Sequence, residues 1–353
     1  MVKFYLIRHG ETDWNVESRF QGRENISLNE TGQKQAEACG LGMLETGIPF
    51  DCMVSSPLDR AYGTAETIAG CLGIAAIHKE PDLIERDFGK ISGRKREDRE
   101  WMLASGEDLQ IEDEELVAER MQRVLDRFCK GDFRHVIMVS HGASIRALLG
   151  KYAKAGSVPA TEVQRNACLT TIVHKEDGFY LEAFDKTPKE LVRETAVYDL
   201  LDRLRIKSER VFHEPLFTME ACQDVDEALG IKICKNLFLC NSSRTRFYLL
   251  LMAGDKKFVT KEVSKQIGSA RLSFGPKEYM EKYLNLTPGS VSLMGLMFDT
   301  QNKVELLIDR DVLEEEYFGC HPCVNTSSLK MKTADILKKF LPAVHHTYTE
   351  VVL

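Results

Sequence analysis

Apolar residues run almost without interruption from Val2 to Ile7 and give way to the polar stretch Arg8-His9-Gly10-Glu11-Thr12. A short unbroken apolar run is the pattern of a strand covered on both faces, which predicts a buried strand over Val2–Arg8. Two further runs, Cys52–Ser55 and His135–Val139, predict strands of the same kind. Between the strands the spacing changes to the helical period. It predicts helices over Thr31–Leu44, Leu58–Leu72, Leu116–Cys129 and Ser144–Tyr152, the third on the spacing of Leu116, Met121, Val124, Leu125 and Phe128. Cys168–Val173 and Phe179–Phe184 flank Asp177-Gly178 and predict a closing hairpin. Strands alternating with helices give an α/β fold class, a mostly parallel sheet with helices on both faces.

The pattern changes after Thr187. Thr187 stands as an N-cap, Pro188 suits the first helical position and Glu190 completes a capping box, which predicts a helix from Pro188 to about Leu204. Beyond it, short strands are predicted at Ile233–Leu239, Arg246–Met252, Val304–Ile308 and Val344–Tyr348, mixed with short helices and Gly/Pro turns. This is the pattern of a separate mixed α+β unit. The predicted division is residues 1–187 and 188–353, and 353 residues match two domains of about 150 residues each.

Composition narrows the class. With 43% apolar and 29% charged residues the chain reads as an ordinary globular protein. No apolar run approaches the ~20 residues that span a bilayer, and the N-terminal stretch has no small-residue cleavage site. No membrane partner is therefore expected, and the cytoplasm is the expected location. The ten cysteines are scattered, many in apolar segments such as those around Cys129, Cys168 and Cys240, as free thiols in a reducing compartment would be. Residues 189–353 hold 23 basic and 23 acidic side chains, so the net charge of −7 resides in residues 1–188. Neither half has the basic field that bulk nucleic-acid binding requires, although the counts leave room for a local basic groove.

Two His-Gly dipeptides carry the first candidate chemistry. His9-Gly10 and His141-Gly142 each follow a predicted buried strand, and ligand sites in parallel sheets form beyond the carboxyl ends of strands. Each glycine is expected to let backbone approach a ligand closely. Ser56-Pro57-Leu58-Asp59-Arg60 leads into a helix, near whose positive end Arg60 would sit. Phosphoryl transfer through a covalent intermediate needs a neutral imidazole nucleophile and fixed positive charge around the equatorial oxygens. His9 is the candidate nucleophile, Arg8 and Arg60 supply forked donors, and His141 supplies a further one. Glu85 is the candidate acid for the leaving alkoxide, because like charge from phosphate oxygens disfavours its ionisation.

Four segments in order strengthen this reading. They are Leu6-Ile7-Arg8-His9-Gly10-Glu11-Thr12 with Trp14-Asn15, then Gln21-Gly22-Arg23 with Leu28-Asn29-Glu30-Thr31-Gly32, then Ser55-Ser56-Pro57-Leu58-Asp59-Arg60-Ala61, and finally Ser140-His141-Gly142. Together they resemble the histidine phosphatase superfamily, which includes the cofactor-dependent phosphoglycerate mutases and many small phosphatases, over roughly residues 1–185. The resemblance implies that His9 is phosphorylated, that Arg8, Asn15, Arg60 and His141 bind the phosphate, and that Glu85 donates the proton. The implied substrate is a small phosphorylated metabolite. Ser92 stands where the family usually has Glu, a departure expected to alter the shape of the pocket. The mutases of this family carry extra segments over the site, so the compact domain favours a phosphatase.

The second half has no serine-hydrolase or P-loop pattern. It offers a lysine entering an apolar strand (Cys234–Leu239), a Gly-rich turn (Thr287-Pro288-Gly289-Ser290-Val291-Ser292) and His321-Pro322-Cys323-Val324-Asn325-Thr326. Periodicity alone reads Lys235 as a surface side chain with a buried stem. With Phe217–Ala221, Arg271–Phe274 and Val304–Asp309, these segments resemble the freestanding prolyl-tRNA editing domains, which hydrolyse alanine mischarged on tRNA-Pro. The resemblance implies a tRNA-Pro acceptor end as partner and ester hydrolysis there. Lys235 would contact the terminal phosphate or sugar. Gly289, Ser290, His321 and Asn325 would belong to the aminoacyl pocket. Leu293-Met294 stand where the family commonly has Pro. Cys320 and Cys323 flank His321-Pro322 and could bind metal with His345 or His346, or form a redox pair. Sequence spacing does not assemble four ligands, so the pair is read as two neutral thiols, and neither a metal nor a cofactor is assigned.

The reading is a bifunctional hydrolase: phosphomonoester hydrolysis through His9 and trans-editing of mischarged tRNA-Pro, alanine foremost. The alternative is a metabolite phosphatase or mutase whose second half only binds an amino acid or tRNA end. A scaffold with both sites silent is disfavoured by the complete set of His9, Arg8, Arg60, Glu85 and His141.

Overall fold

Val2–Arg8 forms strand β1, and Phe4 to Ile7 are buried on both faces as the apolar run requires. The computed structural model describes residues 1–104, 106–152, 164–213 and 219–353. After β1 come α1 (Asp13–Val16), α2 (Glu30–Glu45), β2 (Cys52–Ser55), α3 (Asp59–Leu72), β3 (Ile77–Lys79), α4 (Arg99–Ala104), α5 (Glu114–Cys129), β4 (His135–Ser140), α6 (Gly142–Gly150), β5 (Leu169–Lys175) and β6 (Gly178–Lys186). The sheet order is β3-β2-β4-β1-β5-β6. Its first four strands are parallel and the β5–β6 hairpin is antiparallel. Tyr5 and Ile7 of β1 and Ile137 and Val139 of β4 pack with Cys39, Met43, Ala65 and Ile68 of α2 and α3. The alternate residues Phe4, Leu6, Val136 and Met138 are equally buried. They share the face from which the Ser140 hydroxyl reaches Met121 of α5.

Helix α5 departs from the expected face. Its buried residues are Val117, Ala118, Met121, Val124 and Leu125, together with Arg120, and Leu116 points to solvent. An α-helix advances about 100° per residue, so Leu116 falls one step off the stripe set by these buried residues.

The chain divides into two compact units, Met1–Leu191 and Val192–Leu353. Helix α7 (Pro188–Arg203) begins with the predicted capping box. The Thr187 N–H donates to Glu190 Oε2 at 2.8 Å and the Glu190 N–H to Thr187 Oγ1 at 3.3 Å.

In the second unit follow β7 (Ser208–Phe212), α8 (Met219–Leu229), β8 (Lys235–Asn241), β9 (Phe247–Met252), α9 (Thr260–Gln266), β10 (Leu272–Phe274), α10 (Lys277–Leu284), β11 (Val304–Asp309), β12 (Tyr317–Cys320), β13 (Ser327–Lys332) and β14 (Tyr348–Val351). A five-stranded mixed sheet, β10-β8-β9-β11-β14, accompanies a three-stranded antiparallel sheet, β12-β13-β7. One core joins both sheets to α7 through Leu200, Leu249, Leu306, Phe318, Leu329 and Phe340. The strand expected at Val344–Tyr348 lies instead at Tyr348–Val351. Val344 still closes a helical hydrogen bond to Phe340, and His345 takes a left-handed φ of 59° that ends the helix. Four strands of this unit (β7, β10, β12, β13) and β3 of the first carry no pattern read from the sequence.

Candidate active sites

Strand register assembles the first site. β1 and β4 pair with Arg8 opposite Ser140, and β2 pairs with β4 with Ser55 opposite Val139. His9, Ser56 and His141 therefore leave the sheet side by side at its carboxyl edge. The rings of His9 and His141 lie 5.2 Å apart between centroids. A Cβ at Gly10 would sit 2.4 Å from the carbonyl oxygen of Gly32, so the glycine is required by backbone packing.

His9 is 2% exposed, and its Nδ1 lies 2.7 Å from the carbonyl oxygen of Gly10. A carbonyl only accepts, so Nδ1 carries the proton and Nε2 keeps its lone pair. The Arg60 Nε–H donates to that Nε2 at 3.3 Å. Burial, then the charges of Arg60 and Arg8, hold the His9 imidazolium well below its ordinary range. The ring is thus neutral, with a lone pair on Nε2.

Arg60 is fully buried near the start of α3. Its two terminal nitrogens donate to Glu24 O at 2.7 Å and Gly22 O at 2.8 Å, which offsets the cost of burying the guanidinium. Arg8 donates from Nη1 to Gln164 O at 2.7 Å, while its Nε is buried with no hydrogen-bond partner among the described residues. Burial brings both guanidiniums down to about 10, still cationic at neutral pH. His141 is held well below its ordinary range by burial, Arg60 and His9, and its Nε2 lies 2.8 Å from the Ser56 hydroxyl. Asn15 Oδ1 accepts from the Thr12 N–H and hydroxyl, both at 3.1 Å, which leaves the amide N–H2 as a donor.

Glu85 sits at the N-terminus of α6. Its Oε1 accepts from Arg86 N at 2.8 Å, Ser144 N at 2.9 Å and Ser144 Oγ at 3.0 Å. Among the described residues its Oε2 takes only the Ala143 N–H, at 3.3 Å, and keeps free acceptor capacity. A cavity of about 360 Å³ brings together Arg8, His9, Asn15 and Glu85, with further arginines along its wall. Ser56, Ser144 and Gln164, which hold His141, Glu85 and Arg8, received no role from the sequence. Ser56 lay within a quoted motif, whereas nothing signalled the contact made by the Gln164 carbonyl.

A second cavity, of about 470 Å³, lies in the other unit and is lined in part by Lys235, Asn236, Gly289, Val291 and His321. Three of the five predicted editing residues meet there. Ser290 is buried, and its hydroxyl closes the Thr287–Ser290 turn, donating to Thr287 O at 2.9 Å. Asn325 is half-buried and is not among the described residues lining this cavity. Gly289 adopts a φ of +89°, a conformation open to glycine. Lys235 Nζ, on the first residue of β8, donates to Lys256 O at 3.1 Å. His321 Nδ1 faces Ser327 O at 2.9 Å, which makes Nε2 the acceptor nitrogen. Ser328 Oγ stands between His321 Nδ1 (3.2 Å) and His213 Nε2 (2.8 Å), a contact absent from the sequence reading.

Cys320 and Cys323 are fully buried free thiols. Burial pushes Cys320 up to about 12 and Cys323 higher still, so both are neutral. Among the described residues no group of three or more His, Cys, Asp or Glu side chains is arranged to hold a metal ion. No helix among them is long and apolar enough to cross a membrane. Phe217 and Thr218 of the expected editing segments lie outside the described residues.

Residues 4–187 match the histidine phosphatase superfamily (branch 1), and residues 213–339 match the aminoacyl-tRNA editing domain. An uncharacterized phosphatase of Bacillus subtilis is 33% identical over 188 residues, 52% of this chain and 95% of that protein. A prolyl-tRNA editing protein of Acetoanaerobium sticklandii is 32% identical over 158 residues, 45% of this chain and 96% of that protein. A 2,3-bisphosphoglycerate-dependent phosphoglycerate mutase of Beijerinckia indica is 32% identical over 160 residues, 41% of this chain and 77% of that protein.

Proposed function

Because the chain belongs to the histidine phosphatase superfamily through residues 4–187 and to the aminoacyl-tRNA editing domain family through residues 213–339, we propose that it is a bifunctional hydrolase with one reaction in each part. In residues 1–187, His9 Nε2 attacks the phosphorus of a small phosphomonoester. The P–O bond to the leaving alkoxide breaks, and Glu85 delivers its proton to that oxygen. Water then attacks the phosphohistidine with Glu85 as base, returning neutral His9 and inorganic phosphate. Arg8, Arg60, Asn15 and His141 hold the equatorial oxygens. The observation that carries this reading is the His9 tautomer. The Gly10 carbonyl holds the proton on Nδ1, and Arg60 points at the lone pair on Nε2.

Hydrolysis is favoured over mutase chemistry by coverage. The alignment spans 95% of the phosphatase relative and 77% of the mutase, in keeping with a domain that lacks the mutase's additional segments. Trapping under a denaturing, alkaline quench, which preserves an N–P bond, tests the mechanism. A phosphoryl group bound through an acid-labile, base-stable linkage, absent from His9→Ala, is expected. A chain that turns over without a trappable linkage contradicts it.

In residues 188–353 the proposed reaction is deacylation of mischarged tRNA-Pro, alanine foremost. Lys235 meets the terminal phosphate or sugar, and Gly289 and His321 border the aminoacyl group. Ser290 supports the turn that carries Gly289, and Asn325 is assigned to the segment that carries His321. The likeness to a prolyl-tRNA editing protein over 96% of its length and the convergence of Lys235, Gly289 and His321 on one cavity support this reading.

A further inference from the structure

The three-stranded sheet of the second unit brings two histidines to one of its ends. β12 stops at Cys320, just before His321, and β7 stops at Phe212, just before His213, while β13 begins there with Ser327 and Ser328. The β7–β13 register, with Ser328 opposite Val211, carries the Ser328 hydroxyl to His213. The two imidazole rings stand 5.6 Å apart between centroids.

Hydrogen bonding decides where the protons lie. The Ser327 carbonyl, 2.9 Å from His321 Nδ1, only accepts, so Nδ1 carries a hydrogen. Ser328 Oγ, 3.2 Å from the same nitrogen, therefore accepts from it. Among the described residues the two rings are the only partners of that hydroxyl. Its own proton accordingly goes to His213 Nε2 at 2.8 Å, which presents a lone pair. The donors run in one direction, from His321 through Ser328 to His213.

The surroundings hold this line still. Ser327 Oγ donates to Glu194 Oε1 at 2.6 Å, an oxygen that also takes the Tyr198 hydroxyl at 2.7 Å. The Ser292 hydroxyl, from the turn that carries Gly289, donates to the His321 carbonyl oxygen. Ser327 and Ser328 are fully buried, and Glu194 and His213 nearly so. A buried polar network with its partners in place fixes a single arrangement.

We propose that His213 is a positioning residue of the editing site. By taking the Ser328 proton, it prevents Ser328 from donating to His321 Nδ1, and so locks His321 with its hydrogen on Nδ1 and its lone pair on Nε2. The His321 ring borders the cavity with Lys235 and Gly289. The locked lone pair is an acceptor for the α-amino group of the aminoacyl ester, and the opposite tautomer would meet that group with an N–H. The proposal rests on the assignment of the aminoacyl group to this cavity. The lock transfers no proton and forms no covalent bond.

Nitrogen NMR on the full chain, labelled at its histidine rings, tests the lock at mildly alkaline pH, where an ordinary histidine is neutral. His321→Gln identifies the His321 signals. The unaltered chain is expected to carry the His321 hydrogen on Nδ1. In His213→Leu the released Ser328 hydroxyl donates to Nδ1, and the Nε2–H tautomer should appear. Adding Ser328→Ala removes that donor and should restore the Nδ1–H form. His213→Gln, whose amide oxygen accepts from Ser328, should keep it as well. Deacylation of Ala-tRNA-Pro should follow the tautomer. In His213→Leu kcat is expected to fall about tenfold, with KM within about twofold. His213→Gln and the double change should each recover most of that loss, a recovery that simple damage to the fold would not give. A His321 hydrogen on Nε2 in the unaltered chain overturns the proposal, as does a tautomer unmoved by His213→Leu or a loss that the added Ser328→Ala does not relieve. The expected tautomers in a chain that deacylates no aminoacyl-tRNA leave the lock standing and refute the editing reading instead.

Discussion

Among the described residues, six arginines and one carboxylate wall the cavity at His9, whereas the cavity at His321 sets Lys232 and Lys235 against Asp226 and Asp255. The difference follows what each would bind. A phosphoryl group is anionic in the ground state and remains so during transfer, so fixed charge is useful from encounter to product release. An aminoacyl ester is uncharged at the bond that breaks. Its site gains more from shape, because one methylene in a snug pocket is worth about 1–3 kcal/mol of discrimination. A proofreading pocket can therefore work by refusing the larger, correct amino acid.

The largest expected effect that sharpens this contrast is His9→Ala. It should lower phosphomonoester turnover by about 10⁴-fold or more while leaving deacylation of mischarged tRNA intact. Glu85→Gln comes next. It should cost about 10²–10³-fold on alkyl phosphates and clearly less on aryl phosphates with good leaving groups. Equal losses on both would remove Glu85 from the role of acid. Lys235→Ala should lower deacylation by about tenfold or more, through a lost charge-assisted contact, with phosphate release unaltered. His321→Ala tested beside it shows whether the pocket or the lysine contributes more.

The smallest effect concerns stability against pH. His9 and His141 are held neutral well below their ordinary range. In the unfolded chain they titrate near ~6.5. Below that value the unfolded state takes up protons that the native state refuses, so stability falls as the pH drops through ~6.5 toward the native values. About one pH unit below, each histidine should lower Tm by about 2–4 °C. His141→Gln should flatten the slope of Tm against pH, whatever it does to the level. An unchanged slope would show that His141 is protonated in the folded chain.

How much was legible in advance differs between the halves for physical reasons. β1, β2 and β4 are short apolar runs covered on both faces, and their chemistry lies directly at their ends. His9 and His141 could therefore be read from the residues adjacent to each run. Arg96 and Arg99, which also line the cavity at His9, escaped notice because their placement depends on backbone bonds between Ser18–Phe20 and Arg94–Arg96, a pairing across some 75 residues with no periodic signal. In the second half, β7, β12 and β13 form their own small sheet, and strands such as Ser327–Lys332 carry serines and lysines on a partly polar face. The Ser328 contact that joins His213 to His321 arises from the β7–β13 pairing, in which Ser327 stands opposite Phe212. No local pattern announces that register. Lys235, read from periodicity as a surface side chain, turns its ammonium to a backbone carbonyl and borders a cavity, a placement that follows from β8 pairing with β9 and not from its neighbours in sequence.

The measurement that tests the account most directly is deacylation of Ala-, Cys- and Pro-charged tRNA-Pro by the full chain, run beside phosphomonoester hydrolysis by the same preparation. Both reactions are expected to proceed, a mischarged tRNA is expected to be cleaved in preference to Pro-tRNA-Pro, and His9→Ala and Lys235→Ala should each impair one reaction alone. A preparation that releases phosphate yet leaves all three aminoacyl-tRNAs intact would contradict the bifunctional reading, and would reduce residues 188–353 to a binding module beside a phosphatase.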